Sequence, residues 1–200
     1  SVCQYPENTP SPFKEEDLWN GYPEPTNAPY GIAKRLGMEM LKAYHQQYGM
    51  SGIFLIPANL YGPRDSFDPA KSHAIPAIIR KIHESRLAEP DVLKRSVTLW
   101  GSGAATRDFL HARDAAEAIV QAEKLDGCHV MNLGTGVATS IFDLALKSAD
   151  LMSYCGKLYF DHNMPNGQMV RCIDYGRAKT LLGWEAKIGL DEGLRETIEW

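Results

Sequence analysis

The sequence predicts an α/β fold, and three observations carry that reading. Strand-like and helix-like segments alternate along much of the 200 residues, the pattern of a sheet covered by helices. The run Gly52-Ile53-Phe54-Leu55-Ile56 is continuously apolar with turn residues on both sides, as expected of a buried parallel strand. Helical spacing is plain in two stretches, one following Pro29 and one over Ile75–Arg86.

Taken in order, residues 7–29 are rich in Pro, Glu and Asn and have no period. They read as a loop lying over the mouth of a site. Pro29 suits the first helical position, where its missing N–H costs nothing. Behind it Ile32, Ala33, Leu36, Met40, Leu41 and Tyr44 recur at intervals of three and four, and Gly49 is the expected C-terminal cap. After the strand at 52–56, residues 61–72 form a second long loop with Gly, Pro, Asp and Ser. Ile75, Ile78, Ile79 and Ile82 share one face of the next helix. Val97–Trp100 is a short strand, Arg107–Leu110 opens another segment, and Ala115–Leu125 is an Ala-rich helix. Cys128–Leu133 is a strand entering the turn Gly134-Thr135-Gly136. Ser140 and Asp143 have capping-box spacing, with Asp in place of Glu. Lys157–Phe160 is a strand, and helices over Tyr175–Leu182 and Leu190–Trp200 close the chain. No internal repeat or low-complexity tract is present.

Composition is that of a soluble globular protein large enough to bury a core. A net charge of −4 argues against nucleic acid or an anionic membrane surface as a partner. No apolar run approaches membrane-spanning length and no signal peptide is visible. The cysteines at 3, 128, 155 and 172 are widely separated, which suggests neither a metal site nor a disulfide framework. Free thiols in a reducing cytoplasm fit best.

Tyr30 and Lys34 stand one helical turn apart and share a face. A phenol ionises near pH 10, and a neighbouring ammonium favours the phenolate. Such a pair can exchange a proton with a carbonyl or alcohol oxygen. By itself the spacing is too common to decide anything, since a packed Tyr and a solvated Lys would look the same. Gly134-Thr135-Gly136 and Gly101-Ser102-Gly103 suggest phosphate loops, but positions 139 and 106 are both Thr, so neither continues as G-x-G-x-x-G. Both read as ordinary short turns.

The surrounding motifs add what the pair lacks. Ser1-Val2-Cys3-Gln4-Tyr5-Pro6 precedes it, Glu24-Pro25-Thr26-Asn27 leads into its helix, and Pro57-Ala58-Asn59-Leu60-Tyr61-Gly62-Pro63 follows the strand. Lys71-Ser72-His73-Ala74-Ile75-Pro76, Trp100-Gly101-Ser102-Gly103 and Arg107-Asp108-Phe109-Leu110-His111 come after. In order and spacing these resemble the extended short-chain dehydrogenase/reductase family. Within it they are most similar to the branch that epimerises and reduces a GDP-4-keto-6-deoxyhexose with NADP. The family begins with a strand, a Gly-rich turn and a helix that hold the cofactor pyrophosphate, and nothing here matches them. Ser1 falls where the family has its catalytic Ser, so the expectation is the C-terminal two-thirds of a longer enzyme.

The resemblance implies a Rossmann-like partial NAD(P)-binding domain over 1–62 and 106–138, the late part of a parallel sheet. A smaller α/β substrate lobe would take 63–105 and 139–200. It implies Ser1, Tyr30 and Lys34 as the hydride-transfer set and Cys3 with His73 as the epimerising pair. Cofactor contacts would come from Tyr30, Lys34, Pro57, Asn59, Leu60 and His73. The GDP-sugar would be gripped by Arg80, Lys81, Trp100, Arg107 and Arg171, although Lys81 stands where the family pattern has an Arg. A homodimer through the Tyr30–Gly49 helix is implied as well. Two alternatives stay open: another nucleotide-sugar epimerase or dehydratase of the family, and a non-catalytic module that keeps nucleotide-sugar or dimer contacts.

Overall fold

The computed structural model describes all residues, Ser1–Trp200, and the chain divides into two compact units. The first comprises residues 1–60, 108–138 and 170–187. Its centre is a parallel pair, β1 (Gly52–Pro57) with β6 (Cys128–Leu133), in register from Gly52↔Cys128 to Pro57↔Leu133. Helix α1 (Ala28–Tyr48) packs against both strands. It stops where Gly49 enters the left-handed region at φ 68° and donates its N–H to the His45 carbonyl, a conformation open to Gly at no steric cost. The core gathers Phe13, Leu18, Met38, Ile56, Leu110, Met131, Leu133, Ile173 and Trp184. Helix α3 (Ala112–Ala122) contributes Ala115 and Ala118, residues small enough to let it lie flush. The buried Trp184 indole donates to the Asp114 carbonyl at 3.1 Å, satisfying the one polar atom of a large apolar side chain.

Two expectations are corrected in this unit. Strand β1 was expected to be buried, yet only Ile56 is; Gly52 to Leu55 are half-buried. The reason is that β1 has a single strand neighbour, β6. Residues 7–29 are also more than a loop. They contain a 3-10 helix (Glu15–Trp19), and Phe13 is 0% exposed. Its N–H donates to Cys172 O at 2.8 Å and its carbonyl accepts from Asp174 N at 2.9 Å. The buried Glu15 carboxylate accepts the Asn132 N–H at 2.7 Å, and burial raises its pKa above the ordinary carboxylate range.

The second unit comprises residues 61–107, 139–169 and 188–200. Strands β3 (Ser96–Trp100) and β8 (Lys157–Asp161) pair in parallel. The short β4 (Thr106–Arg107) and β7 (Thr139–Ser140) pair antiparallel. Helix α2 (Ala74–Ala88) packs on β3 and on α4 (Ile141–Leu151), which in turn meets α6 (Leu190–Glu199). Its face of Ile75, Ile78, Ile79 and Ile82 is buried, as the spacing predicts. Ser140 caps α4, accepting from Asp143 N at 2.9 Å; the Asp143 carboxylate receives the Ser140 hydroxyl at 2.6 Å rather than its backbone N–H. The capping box therefore closes through side chains, because Asp is one carbon shorter than Glu.

Three short elements complete the chain: β2 (Asn59–Tyr61), β5 (Phe109–His111) and β9 (Val170–Arg171), with α5 (Gly176–Leu182) after them. Residues 170–187, expected with 139–200, belong to the first unit because Ile173, Ala178 and Trp184 lie in its core. No helix is long and apolar enough to cross a membrane.

Candidate active site

In the first unit a 3-10 turn (Val2–Gln4) is held against the start of α1. Ser1 caps it, its Oγ accepting from Cys3 N at 3.4 Å. Gly31 makes the contact possible, since a Cβ built there would lie 2.4 Å from the Cys3 carbonyl oxygen. The turn is also fixed by Arg35 and Tyr5. Buried Arg35 donates through Nε to Gln4 O at 2.7 Å and through Nη1 to Gly21 O at 2.9 Å. The buried Tyr5 phenol donates to Asn132 Oδ1 at 2.7 Å, and Tyr5 N bonds Val2 O at 3.1 Å.

Tyr30 and Lys34 lie on the exposed side of α1, with Lys34 Nζ 5.2 Å from the Tyr30 ring centroid. Four sequence-predicted residues, Ser1, Cys3, Tyr30 and Lys34, are thereby gathered around the contact of α1 with the 3-10 turn. Arg171 joins them, its Nη1 donating to Cys3 Sγ at 3.8 Å. Its expected role was to grip a diphosphate; the structure puts one arm of its fork on a thiol.

Pro57 ends β1, and Asn59 and Leu60 follow on β2. Asn59 is spoken for: its Nδ2 and its backbone N both donate to Asp108 O, at 2.9 and 3.0 Å. Leu60 is exposed. Asp108 is a residue that motif reading passed over. Its carboxylate, 1% exposed, accepts from Thr135 N at 3.0 Å, Thr135 Oγ1 at 2.7 Å and Gly136 N at 3.1 Å. Burial raises its pKa against the pull of those bonds.

The remaining candidates are in the second unit. His73 is exposed at the N-cap of α2 and makes no side-chain cap bond. Arg80 spends Nη1 on both oxygens of Glu84 at 3.0 Å. Lys81 donates to Thr98 O at 2.8 Å, with Nζ 6.0 Å from the centroid of the exposed Trp100 ring. Burial, and then Arg80, lower the Lys81 pKa. Arg107 donates to Thr106 O and Gln168 O, both at 2.7 Å, and to Asn166 O at 3.3 Å. Its fork anchors the 166–168 segment by backbone carbonyls.

A model of the NAD dependent epimerase/dehydratase family matches residues 1–134. The chain belongs to that family. This epimerase/dehydratase chain is 37% identical over 201 residues to a probable GDP-L-fucose synthase 1 of Oryza sativa subsp. japonica, covering all of the chain and 60% of the relative. It is 38% identical over 212 residues to the GDP-L-fucose synthase of Escherichia coli (strain K12), covering 64% of that protein. The chain thus spans about three-fifths of the curated relatives it matches. Among solved structures, a GDP-6-OMe-4-keto-L-xylo-heptose reductase from C. jejuni superposes with a TM-score of 0.91 at 32% identity, over all of this chain and 67% of that one. A UDP-glucose 4-epimerase from Thermotoga maritima, solved with UDP-glucose, gives 0.85 at 27% identity, over 99% of this chain and 60% of that one. The fold is therefore the Rossmann-like α/β fold of these epimerases and reductases.

Sequence reading missed Arg35, Asp108 and Asn132 in this family member. Arg35 looks like one more surface charge on a helix, and no local signal marks it as the clamp on Gln4. For Asp108 a signal existed: an acidic residue between Arg107 and the apolar pair Phe109-Leu110 has to find donors if its segment is buried.

Proposed function

We propose that this chain is the matched part of an NADP-dependent epimerase/reductase of the GDP-L-fucose synthase type. It would invert C3 and C5 of a GDP-4-keto-6-deoxyhexose and then reduce C4. One observation carries the reading: Cys3 shares a rigid turn with Ser1 and packs on the helix that presents Tyr30 and Lys34. A plain 4-epimerase needs the Tyr–Lys pair but has no work for a thiol beside it. The names of the relatives agree.

Within that reading the residues divide the labour. As a thiolate, Cys3 takes a proton from the carbon next to the ketone, and His73 as imidazolium returns one to the opposite face. Ser1 Oγ donates to the C4 oxygen while Tyr30 protonates it. The open side of Tyr30 and Lys34 suits a dinucleotide, with Pro57 and Leu60 at the strand end and His73 as further contacts. Asn59 then serves by holding Asp108 in place. The reduced cofactor, NADPH, would supply the hydride when bound. Trp100, Arg80, Lys81 and Arg107 would receive the nucleotide-sugar. The exposed run Ile32, Leu36, Met40, Tyr44 and Tyr48 on α1 supports a homodimer through that helix, and free thiols suit a cytoplasmic site of action.

The experiment incubates the whole protein with GDP-4-keto-6-deoxymannose and NADPH in deuterated water, followed by NMR. The expected result is deuterium at C3 and C5 together with a C4-reduced sugar. NADPH oxidation without deuterium uptake would leave a simple reductase, and neither would overturn the reading.

A further inference from the structure

Arg171 is the one sequence-predicted substrate-gripping residue whose guanidinium lies on a candidate catalytic atom. Its Nη1 donates to Cys3 Sγ at 3.8 Å, and both side chains are half-buried. The two partners ride on rigid backbone. Cys3 sits in the capped turn that Arg35, Tyr5 and Gly31 fix from three sides. Arg171 is tied on its own strand, its carbonyl accepting from Asp108 N at 2.9 Å. The next residues are strapped to Phe13, through Cys172 O at 2.8 Å and Asp174 N at 2.9 Å. A contact held at both ends by backbone bonds loses little entropy each time it forms.

Chemistry gives the contact a use. A neutral thiol gains little from a guanidinium, whereas a thiolate gains a charge-assisted donor and a counter-charge. Arg suits the task because it stays protonated at any working pH.

We propose that Arg171 is the positioning residue for the epimerising base, holding the Cys3 thiolate rather than a substrate diphosphate. The proposal rests on the reading above, in which Cys3 removes the C3 and C5 protons. Proton balance is closed: the carbon acid gives its proton to Cys3 sulfur, the Cys3–Arg171 ion pair becomes a thiol beside a guanidinium, and His73 supplies the returning proton.

The test uses iodoacetamide alkylation at neutral pH, with each cysteine followed separately by peptide mass. Arg171→Met removes the cation that lies 3.8 Å from the Cys3 sulfur, and alkylation of Cys3 should slow about threefold. Arg171→Lys restores a cation and should recover most of the rate. Half-buried Cys128 and exposed Cys155 should react as before, and Cys172, 5% exposed, should stay protected. Should Arg171→Met expose Cys172, Arg171→Gln takes its place with the same expectation. An unchanged Cys3 rate in the uncharged variant, or a Lys variant as slow as the Met variant, would overturn the pairing. Deuterium uptake keeps the two readings apart. If Cys3→Ser takes up deuterium like the parent while Arg171→Met still slows alkylation, the function fails and the pairing stands.

Discussion

Replacing Asp108 with Ala should destabilise the first unit, and replacing it with Asn should cost less. Thr135 N, Thr135 Oγ1 and Gly136 N donate to the carboxylate at 3.0, 2.7 and 3.1 Å. The hydroxyl can turn to another acceptor, so Ala leaves the N–H groups of half-buried Thr135 and exposed Gly136 without this partner. At about 1–3 kcal/mol for a donor left unmade away from water, and less at Gly136 where water can replace the carboxylate, the loss is about 2–3 kcal/mol, a sizeable share of a typical total of about 5–15 kcal/mol. Asn keeps the volume and one accepting oxygen, so about one bond is lost. That loss is offset because burial already disfavours the carboxylate's charge, leaving a cost of about 1 kcal/mol. The assay is urea unfolding read as a change in midpoint at constant slope. Equal losses in the two variants, or less than about 1 kcal/mol for Ala, would refute the reasoning. A pH series adds a sign. Because the folded carboxyl titrates above its ordinary value, the folded state holds the proton more tightly than the unfolded one. The stability this group adds is then fully present below the unfolded value near 3.9 and is lost as pH rises toward the folded one. Asp108→Asn should remove that part of the profile.

Other outcomes follow from the same geometry. Tyr30→Phe should reduce turnover of the whole protein about a hundred- to ten-thousand-fold, the usual loss of a general acid, with substrate affinity nearly intact by calorimetry. Cys3→Ser should suppress deuterium exchange at C3 and C5 while C4 reduction of the unepimerised sugar continues, and loss of His73 should separate the two in the same way, read by NMR. Trp184→Ala should cost about 3–5 kcal/mol in urea unfolding, since Trp184 is 1% exposed and fills the core beside Ile173 and Ala178. Leu36→Asp, placed on the exposed face of α1 where Leu36 is 60% exposed, should halve the sedimenting mass if that helix joins two copies, and leave it unchanged otherwise.

Much of the fold was legible because its signals are local. Helix α1 announces itself by Pro29, by apolar residues at three and four, and by Gly49; the first two lie within the element and the third caps its end. The isoleucines of α2 do the same. What was not legible depends on partners far along the chain. The burial of Phe13 is settled by Cys172 and Asp174, which no pattern within 7–29 can reveal. The half-buried state of β1 depends on how many strands flank it, while its sequence states only that it is apolar. The site divides along the same line. Tyr30 and Lys34 are neighbours by helix geometry alone, whereas the meeting of Arg171 with Cys3 needs both the turn at Ser1–Gln4 and the strand after Met169 to be in place.

The two Gly-x-Gly turns show how the fold decides what a motif leaves open. A phosphate cradle requires backbone N–H groups that point outward with nothing in front of them. At Gly134-Thr135-Gly136 those donors converge instead on the carboxylate of Asp108. At Gly101-Ser102-Gly103 the Asn166 side-chain oxygen accepts from Ser102 N at 2.7 Å and from its hydroxyl at 3.0 Å. A phosphate drawn to the first turn would have to displace a buried carboxylate, placing two anions at one site and leaving one of them unpaired. Adding a Cβ to Gly134 would bring it 2.5 Å from Ile173 and 2.6 Å from the Asp108 carboxylate. The glycine is therefore required by the approach of the protein's own side chains, and the motif's small residues are there to let Asp108 in.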